Sequence, residues 1–187
     1  MKTAKKVFIF LLILIFLSFF APVITLADDS DDYTWIDITG GVRITGYTGI
    51  GGEVSIPDTL GGKAVVEIGP SAFKENSSLT DVWIPSSVTF IGQDAFKACT
   101  NLTDVYLYDG LQSIDLSAFE SCYALDSITI PDTCTAIGEA AFKASGLQSI
   151  DLGTGVQVIG LSAFESAQLS FVSLPASVAV ISDSAFK

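Results

Sequence analysis

The chain has 187 residues, 21 acidic against nine basic side chains, a formal charge of −12, three cysteines and no histidine. An acidic surface repels phosphate backbones, which sets nucleic acid aside as a partner; the missing imidazole removes Ser-His and Cys-His catalysis, imidazole zinc sites and any histidine base. An odd number of cysteines argues against a disulfide framework.

At the N-terminus, Lys2, Lys5 and Lys6 precede an almost unbroken apolar run from Val7 to Phe20, and Thr25-Leu26-Ala27 supplies a small-residue cleavage site. Residues 1–27 therefore read as a signal peptide cut after Ala27. The competing reading is an uncleaved anchor, because Val7 to Ala27 is near the roughly 20 residues that cross a bilayer. Pro22 and the small-residue ending favour cleavage, and either way the rest of the chain is secreted or held at the cell surface, touching membrane only through this segment.

Residues 28–52 read as an acidic tail and a lead-in. Asp28-Asp29-Ser30-Asp31-Asp32 is a solvated tail without the glycine and spacing of a calcium loop. Tyr33 to Tyr47 alternates Ile36 and Ile38, then Val42 and Ile44, around Gly40-Gly41, which predicts a β-hairpin. Ahead of a repeat array such a hairpin serves as an N-terminal cap over the first unit.

From residue 53 to 187 the chain repeats. Phe73, Phe96, Phe119, Phe142, Phe164 and Phe186, each preceded by alanine, stand 23, 23, 23, 22 and 22 residues apart. A fixed period of this size predicts a solenoid of about six repeats, each burying its apolar face against its neighbours. Isoleucine stands five residues before every one of these phenylalanines, from Ile68 to Ile181, and leucine follows at Leu79, Leu102, Leu125, Leu147 and Leu169. The leucine opens a second pattern, as in Leu79-Val82-Ile84 and Leu102-Val105-Leu107, that reads as a short strand. Pro57, Pro85, Pro131 and Pro175 follow the strand's last apolar residue, where proline ends pairing without removing an interior ladder bond.

These motifs resemble the BspA-like class of leucine-rich repeats, whose units read isoleucine-proline, a turn, isoleucine-glycine, then alanine-phenylalanine, cysteine and leucine; Ile84 to Leu107 matches nearly throughout. The resemblance covers about residues 53–187. It implies a mainly β or α/β repeat solenoid with short parallel strands on the concave face and short helical or 3-10 turns on the convex face. Tyr108 and Gly153 stand where proline is expected, and Asp115 and Ser182 where glycine is. The last repeat stops after its convex half, so the array reads as incomplete at its C-terminal end, with an open edge suited to self-association.

Stacked repeats turn alignment columns into rows about 4.8 Å apart. One outward row is Glu53, Asp81, Asp104, Ser127, Ser149 and Phe171; its neighbour is Ser55, Trp83, Tyr106, Thr129, Asp151 and Ser173. Trp83, Tyr106 and Tyr108 are thereby expected as one exposed aromatic cluster beside Asp81 and Asp104, the candidate ligand-binding residues. Aromatic faces stack on sugars or anchor protein partners, and the carboxylates accept hydroxyls, bind basic side chains or hold calcium. Read structurally, the same rings are ordinary strand residues and cross-strand stackers. Asp81 and Asp104 also fall near the roughly 5 Å separation of retaining glycosidases, but any in-register repeat carrying aspartate twice yields that distance.

Three further columns carry structure. Cys99 and Cys122 share one column and read as small side chains facing turn backbone or core, and Cys134 replaces an apolar core residue. Lys74, Lys97, Glu120, Lys143, Glu165 and Lys187 alternate in sign from Lys97 onward, predicting a charge ladder. Asn76 and Asn101 fit the glycosylation acceptor pattern.

The resemblance implies recognition rather than catalysis: an exported, non-enzymatic adhesion-like module, without cofactor or catalytic residue, that binds a host or cell-surface protein. A carbohydrate-binding or glycoside-cleaving protein is the first alternative, and a structural spacer the second.

Overall fold

Alternate backbone amides in each repeat reach forward to the next repeat, and this sets the architecture. In the first turn, Ser71, Phe73 and Glu75 donate to the carbonyls of Gln93, Ala95 and Lys97 at 2.9, 2.8 and 2.7 Å, while Ala72, Lys74 and Asn76 donate back three residues within their own repeat. The same alternation recurs at every later phenylalanine up to Phe164. The computed structural model describes residues 30–187, so the signal peptide expected over 1–27 and the first two residues of the acidic tail lie outside the described residues.

The strands are short. They are β1 (Tyr33–Ile38), β2 (Gly41–Tyr47), β3 (Gly52–Ser55), β4 (Thr59–Leu60), β5 (Lys63–Ile68), β6 (Leu79–Trp83), β7 (Phe90–Ile91), β8 (Asp104–Tyr106), β9 (Ser113–Ile114), β10 (Ser127–Thr129), β11 (Ala136–Ile137), β12 (Ser149–Asp151), β13 (Val158–Ile159) and β14 (Val180–Ile181). They form two faces of a solenoid. One ladder runs without interruption in the order β1-β2-β5-β7-β9-β11-β13-β14, with β4 beside β5. The other, built from the leucine-led strands, is split into β3-β6-β8 and β10-β12.

The turns around each phenylalanine are not helical. Among the described residues the sole helical segment is the 3-10 turn Ser30–Asp32. The reason lies two residues to either side of the rings, where Ser71 and Glu75, Asp94 and Ala98, Ser117 and Ser121, Ala140 and Ala144, and Ser162 and Ser166 all have φ between 52 and 62°. A left-handed residue at every fourth position breaks any right-handed helix, and for a residue with a Cβ it costs about 1 kcal/mol or more. The inter-repeat hydrogen bonds described above offset that cost.

The core is a file of rings. Phe73, Phe96, Phe119, Phe142, Phe164 and Phe186 stack with centroids 4.8, 5.1, 5.3, 5.4 and 5.2 Å apart and planes within 13°. Five of them are fully buried, whereas Phe186 is 41 % exposed. Ile68, Ile91, Ile114, Ile137 and Ile159 are buried beside them, as are Leu79, Leu102, Leu125 and Leu147.

The expected hairpin forms, β1 pairing antiparallel with β2, but its phase differs from the simple alternation. A register shift between Thr34 and Trp35 turns Tyr33 inward, while Ile36 is exposed and Val42 and Ile44 are buried. Tyr33 and Tyr47 lie 5.1 Å apart, and Tyr47 stacks on Phe73 at 5.0 Å, so the ring file begins in the hairpin. A second hairpin, β4 with β5, turns on Gly61 and Gly62, both left-handed at φ 58 and 76°. That pair is the two-residue glycine signal of a tight hairpin, and it lies inside the first repeat where the period alone gives no cue.

Candidate functional site

Register places the predicted rows as drawn for the first three strands. Glu53, Asp81 and Asp104 are consecutive partners, as are Ser55, Trp83 and Tyr106, with Val54, Val82 and Val105 buried between them. Trp83 and Tyr106 stack with centroids 4.8 Å apart and planes 8° from parallel. Tyr106 and Tyr108 are 40 and 49 % exposed. Trp83 is half-buried, a correction to the uniformly exposed cluster: parallel rings in adjacent strands cover each other, and Tyr106 shields its neighbour. Asp81 is likewise half-buried, while Glu53 and Asp104 are exposed.

Beyond Tyr106 the rows are interrupted. β8 and β10 are not hydrogen-bonded as neighbours, although the ladder on the opposite face continues from β9 to β11 across the same two repeats. Where other repeats carry proline, this one has Tyr108-Asp109-Gly110. Gly110 stands at φ 125°, and a Cβ there would lie 2.2 Å from the Ser86 carbonyl oxygen, so the turn requires glycine. Its amide donates to the Thr133 hydroxyl at 2.9 Å, and that hydroxyl donates to the Leu111 carbonyl at 2.8 Å. A side chain thus bridges the two repeats on this turn.

A groove of about 410 Å³ lies over β8, β10 and β12, lined among others by Asp104, Tyr106, Tyr108, Ser127, Thr129 and Asp151. Trp83 and Asp81 do not line it, so the groove lies on the side of Tyr106 away from Trp83. Of the five predicted residues, three face this groove and two stand beside it. Thr129 and Asp151, which sequence reasoning placed in the row without choosing them, complete it; their signal was the small residue following two rings. The Tyr106 phenol is held above its ordinary pKa, first by the charge of Asp104, then by partial burial and by Asp81, Tyr108 and Glu53. Among the described residues, no group of three carboxylates or cysteines comes together to hold a metal ion.

The other columns explain themselves structurally. The thiols of Cys99 and Cys122 donate to the carbonyls of Phe73 and Phe96 at 3.0 and 3.2 Å, one repeat back, and all three cysteines are free and buried. Burial pushes Cys99 up to about 12 and Cys134 to about 11, and raises Cys122 too, so none is a reactive thiolate. The charge column forms in part: Lys97 pairs with Glu120 at 2.9 Å and Lys143 with Glu165 at 3.0 Å, while Lys74 turns to Asp94 at 3.2 Å. Burial alone would raise Glu120, but hydrogen bonds from Ser117 and Lys97 and the lysine charges hold it below the usual glutamate value. Asn101 donates its amide to the Ser77 carbonyl at 2.8 Å, tying adjacent repeats.

Comparison with known proteins agrees with this geometry. Residues 66–187 match the BspA type leucine rich repeat region in six copies. No curated protein sequence matches the chain. A leucine-rich repeat protein of T. pallidum is 31 % identical, covers 74 % of this chain and 78 % of its own, and superposes with a TM-score of 0.61. A leucine-rich repeat protein of Bacteroides capillosus is 34 % identical over 65 % of this chain and 94 % of its own, with a TM-score of 0.58. A leucine rich cell surface protein of Faecalibacterium prausnitzii is 29 % identical over 83 % of this chain, which spans 50 % of that protein's length, with a TM-score of 0.60. The six-fold match, the stacked phenylalanines and the isoleucine ladder converge: the chain belongs to the BspA-type leucine-rich repeat family.

Proposed function

We propose that this protein is an exported, non-enzymatic recognition module that binds a protein partner at the cell surface through its leucine-led strand face. The observation that carries this reading is the Trp83–Tyr106 stack, with Tyr106 and Tyr108 exposed at the groove over β8, β10 and β12. Exposed aromatic side chains beside a concavity are the anchors that dominate protein interfaces. The family is a repeat of the kind that mediates interactions, and the F. prausnitzii relative is named as a cell surface protein. The hydroxyls of Ser127, Thr129 and Ser149 along the groove support a second reading, a glycan ligand.

The test is a screen of the purified protein against arrayed extracellular-matrix proteins and glycans, beside Tyr106→Ala and Tyr108→Ala. A protein hit weakened about tenfold or more in both variants, with unfolding midpoints unchanged, supports the reading. Hits confined to glycans favour the second reading, and hits indifferent to both tyrosines move recognition elsewhere. Self-association at the C-terminal edge belongs to the same proposal. There Phe171 is 76 % exposed and Leu174, Val180, Ile181 and Phe186 lie open together. Phe171→Lys is expected to shift any dimer seen by sedimentation towards monomer.

A further inference from the structure

The row that carries Trp83 and Tyr106 does not end where its rings end. Its next members are Thr129 on β10 and Asp151 on β12, which are direct register partners. Trp83 covers one side of Tyr106, and a third ring at residue 129 would cover the other. Threonine is too small to do so. The position a third ring would fill is therefore open, floored by Thr129, walled by Tyr106 on one side and Asp151 on the other, with Asp104 at the adjacent row. Two strand spacings separate Tyr106 from Asp151, roughly 9.6 Å for an intact sheet and more across an interrupted one. That span admits one planar group, stacked on the ring and meeting the carboxylate.

The charge of the slot has no internal answer. Among the described residues the ion pairs are Arg43–Glu67, Lys63–Asp37, Lys74–Asp94, Lys97–Asp94, Lys97–Glu120 and Lys143–Glu165, none of which includes Glu53, Asp81, Asp104 or Asp151. The cations serve the hairpin and the phenylalanine turns, leaving the strand face uniformly acidic.

We propose that the slot above Thr129, between the Tyr106 ring and the Asp151 carboxylate, receives an arginine side chain of a basic protein partner. This deepens the protein-binding reading of the strand face and rests on it. Guanidinium is the one common side-chain group that is planar enough to continue a ring stack and carries the charge and paired N–H donors that a carboxylate accepts. Lysine supplies a compact charge that leaves the planar slot unfilled. A sugar fits the ring but leaves the carboxylates uncompensated. The field of those carboxylates at Tyr106, led by Asp104, is of the sign that attracts a cation to the ring.

The experiment is an NMR titration of the purified protein with capped Gly-Arg-Gly, Gly-Lys-Gly and Gly-citrulline-Gly peptides and with maltohexaose. Arginine is expected to saturate, with shift changes converging on Tyr106, Thr129 and Asp151, and to bind at least about threefold more tightly than lysine; citrulline, planar but uncharged, is expected not to bind. Asp151→Asn is expected to weaken arginine about fivefold. Thr129→Phe, which fills the slot with a third ring and extends the stack, is expected to abolish it in a folded protein. Equal response to lysine and arginine, spread over all exposed carboxylates, overturns the proposal as diffuse charge attraction. Citrulline or maltohexaose binding in the slot overturns it in favour of a neutral ligand. If a screened partner depends on Tyr106 while arginine peptides stay silent, recognition survives and the arginine assignment falls. If arginine binds but no partner depends on Tyr106, the selectivity of the slot for guanidinium stands, while its assignment to a protein partner falls with the broader function.

Discussion

Single residues in this protein matter according to their place in a column. Phe119 is wholly buried between two parallel rings, so Phe119→Ala removes both contacts and leaves a cavity, for an expected loss of about 3–5 kcal/mol in denaturant unfolding. Phe186 has one ring neighbour and is partly solvated, and Phe186→Ala is expected to cost less than half as much. The Ser145 hydroxyl is buried without a hydrogen-bond partner in the column where Cys99 and Cys122 donate to the preceding repeat. Ala167 already holds the equivalent place one repeat on, so Ser145→Ala is expected to stabilise, by about 0.5–1 kcal/mol. The thiols set an alkaline limit. Their folded pKa values lie above the unfolded value of 9.0, so their contribution is complete below pH 9 and is lost as pH rises towards 11–12. At pH 10 each costs on the order of 1 kcal/mol of stability, because only the unfolded chain ionises. Urea midpoints should fall between pH 8.5 and 10, and more gently in Cys99→Ala, whatever that variant's stability at pH 8.

Elements were legible in the sequence to the extent that the period defines them. The phenylalanine and isoleucine columns and the pairing of Glu53, Asp81 and Asp104 follow from a 22–23-residue spacing, since in a stack of equal units column and row are the same thing. Departures from equality were not legible. The shift at Thr34 and Trp35, which turns Tyr33 inward, is a backbone event with no residue signature. Half-burial of Trp83 depends on two rings choosing the same plane. The break between β8 and β10 has no residue signature: proline is missing after β8 at Tyr108 and again after β12 at Gly153, yet β12 pairs with β10 in register. The hairpin tests the role of the lead-in: Tyr47→Ala uncovers one face of Phe73, and β5 amides nearest it, monitored by hydrogen exchange, are expected to open before those of β9.

For the whole molecule, each repeat touches only its neighbours, so stability is a sum of interfaces. The ring file is closed at its start by Tyr47, with Tyr33 beside it. The two ladders add a mechanical property. Hydrogen bonds continue from β9 to β11 on one face, while on the opposite face no ladder joins β8 to β10. A group seated in the groove, which is lined by residues of β8, β10 and β12, would join the first three repeats to the last on the face that lacks a continuous ladder.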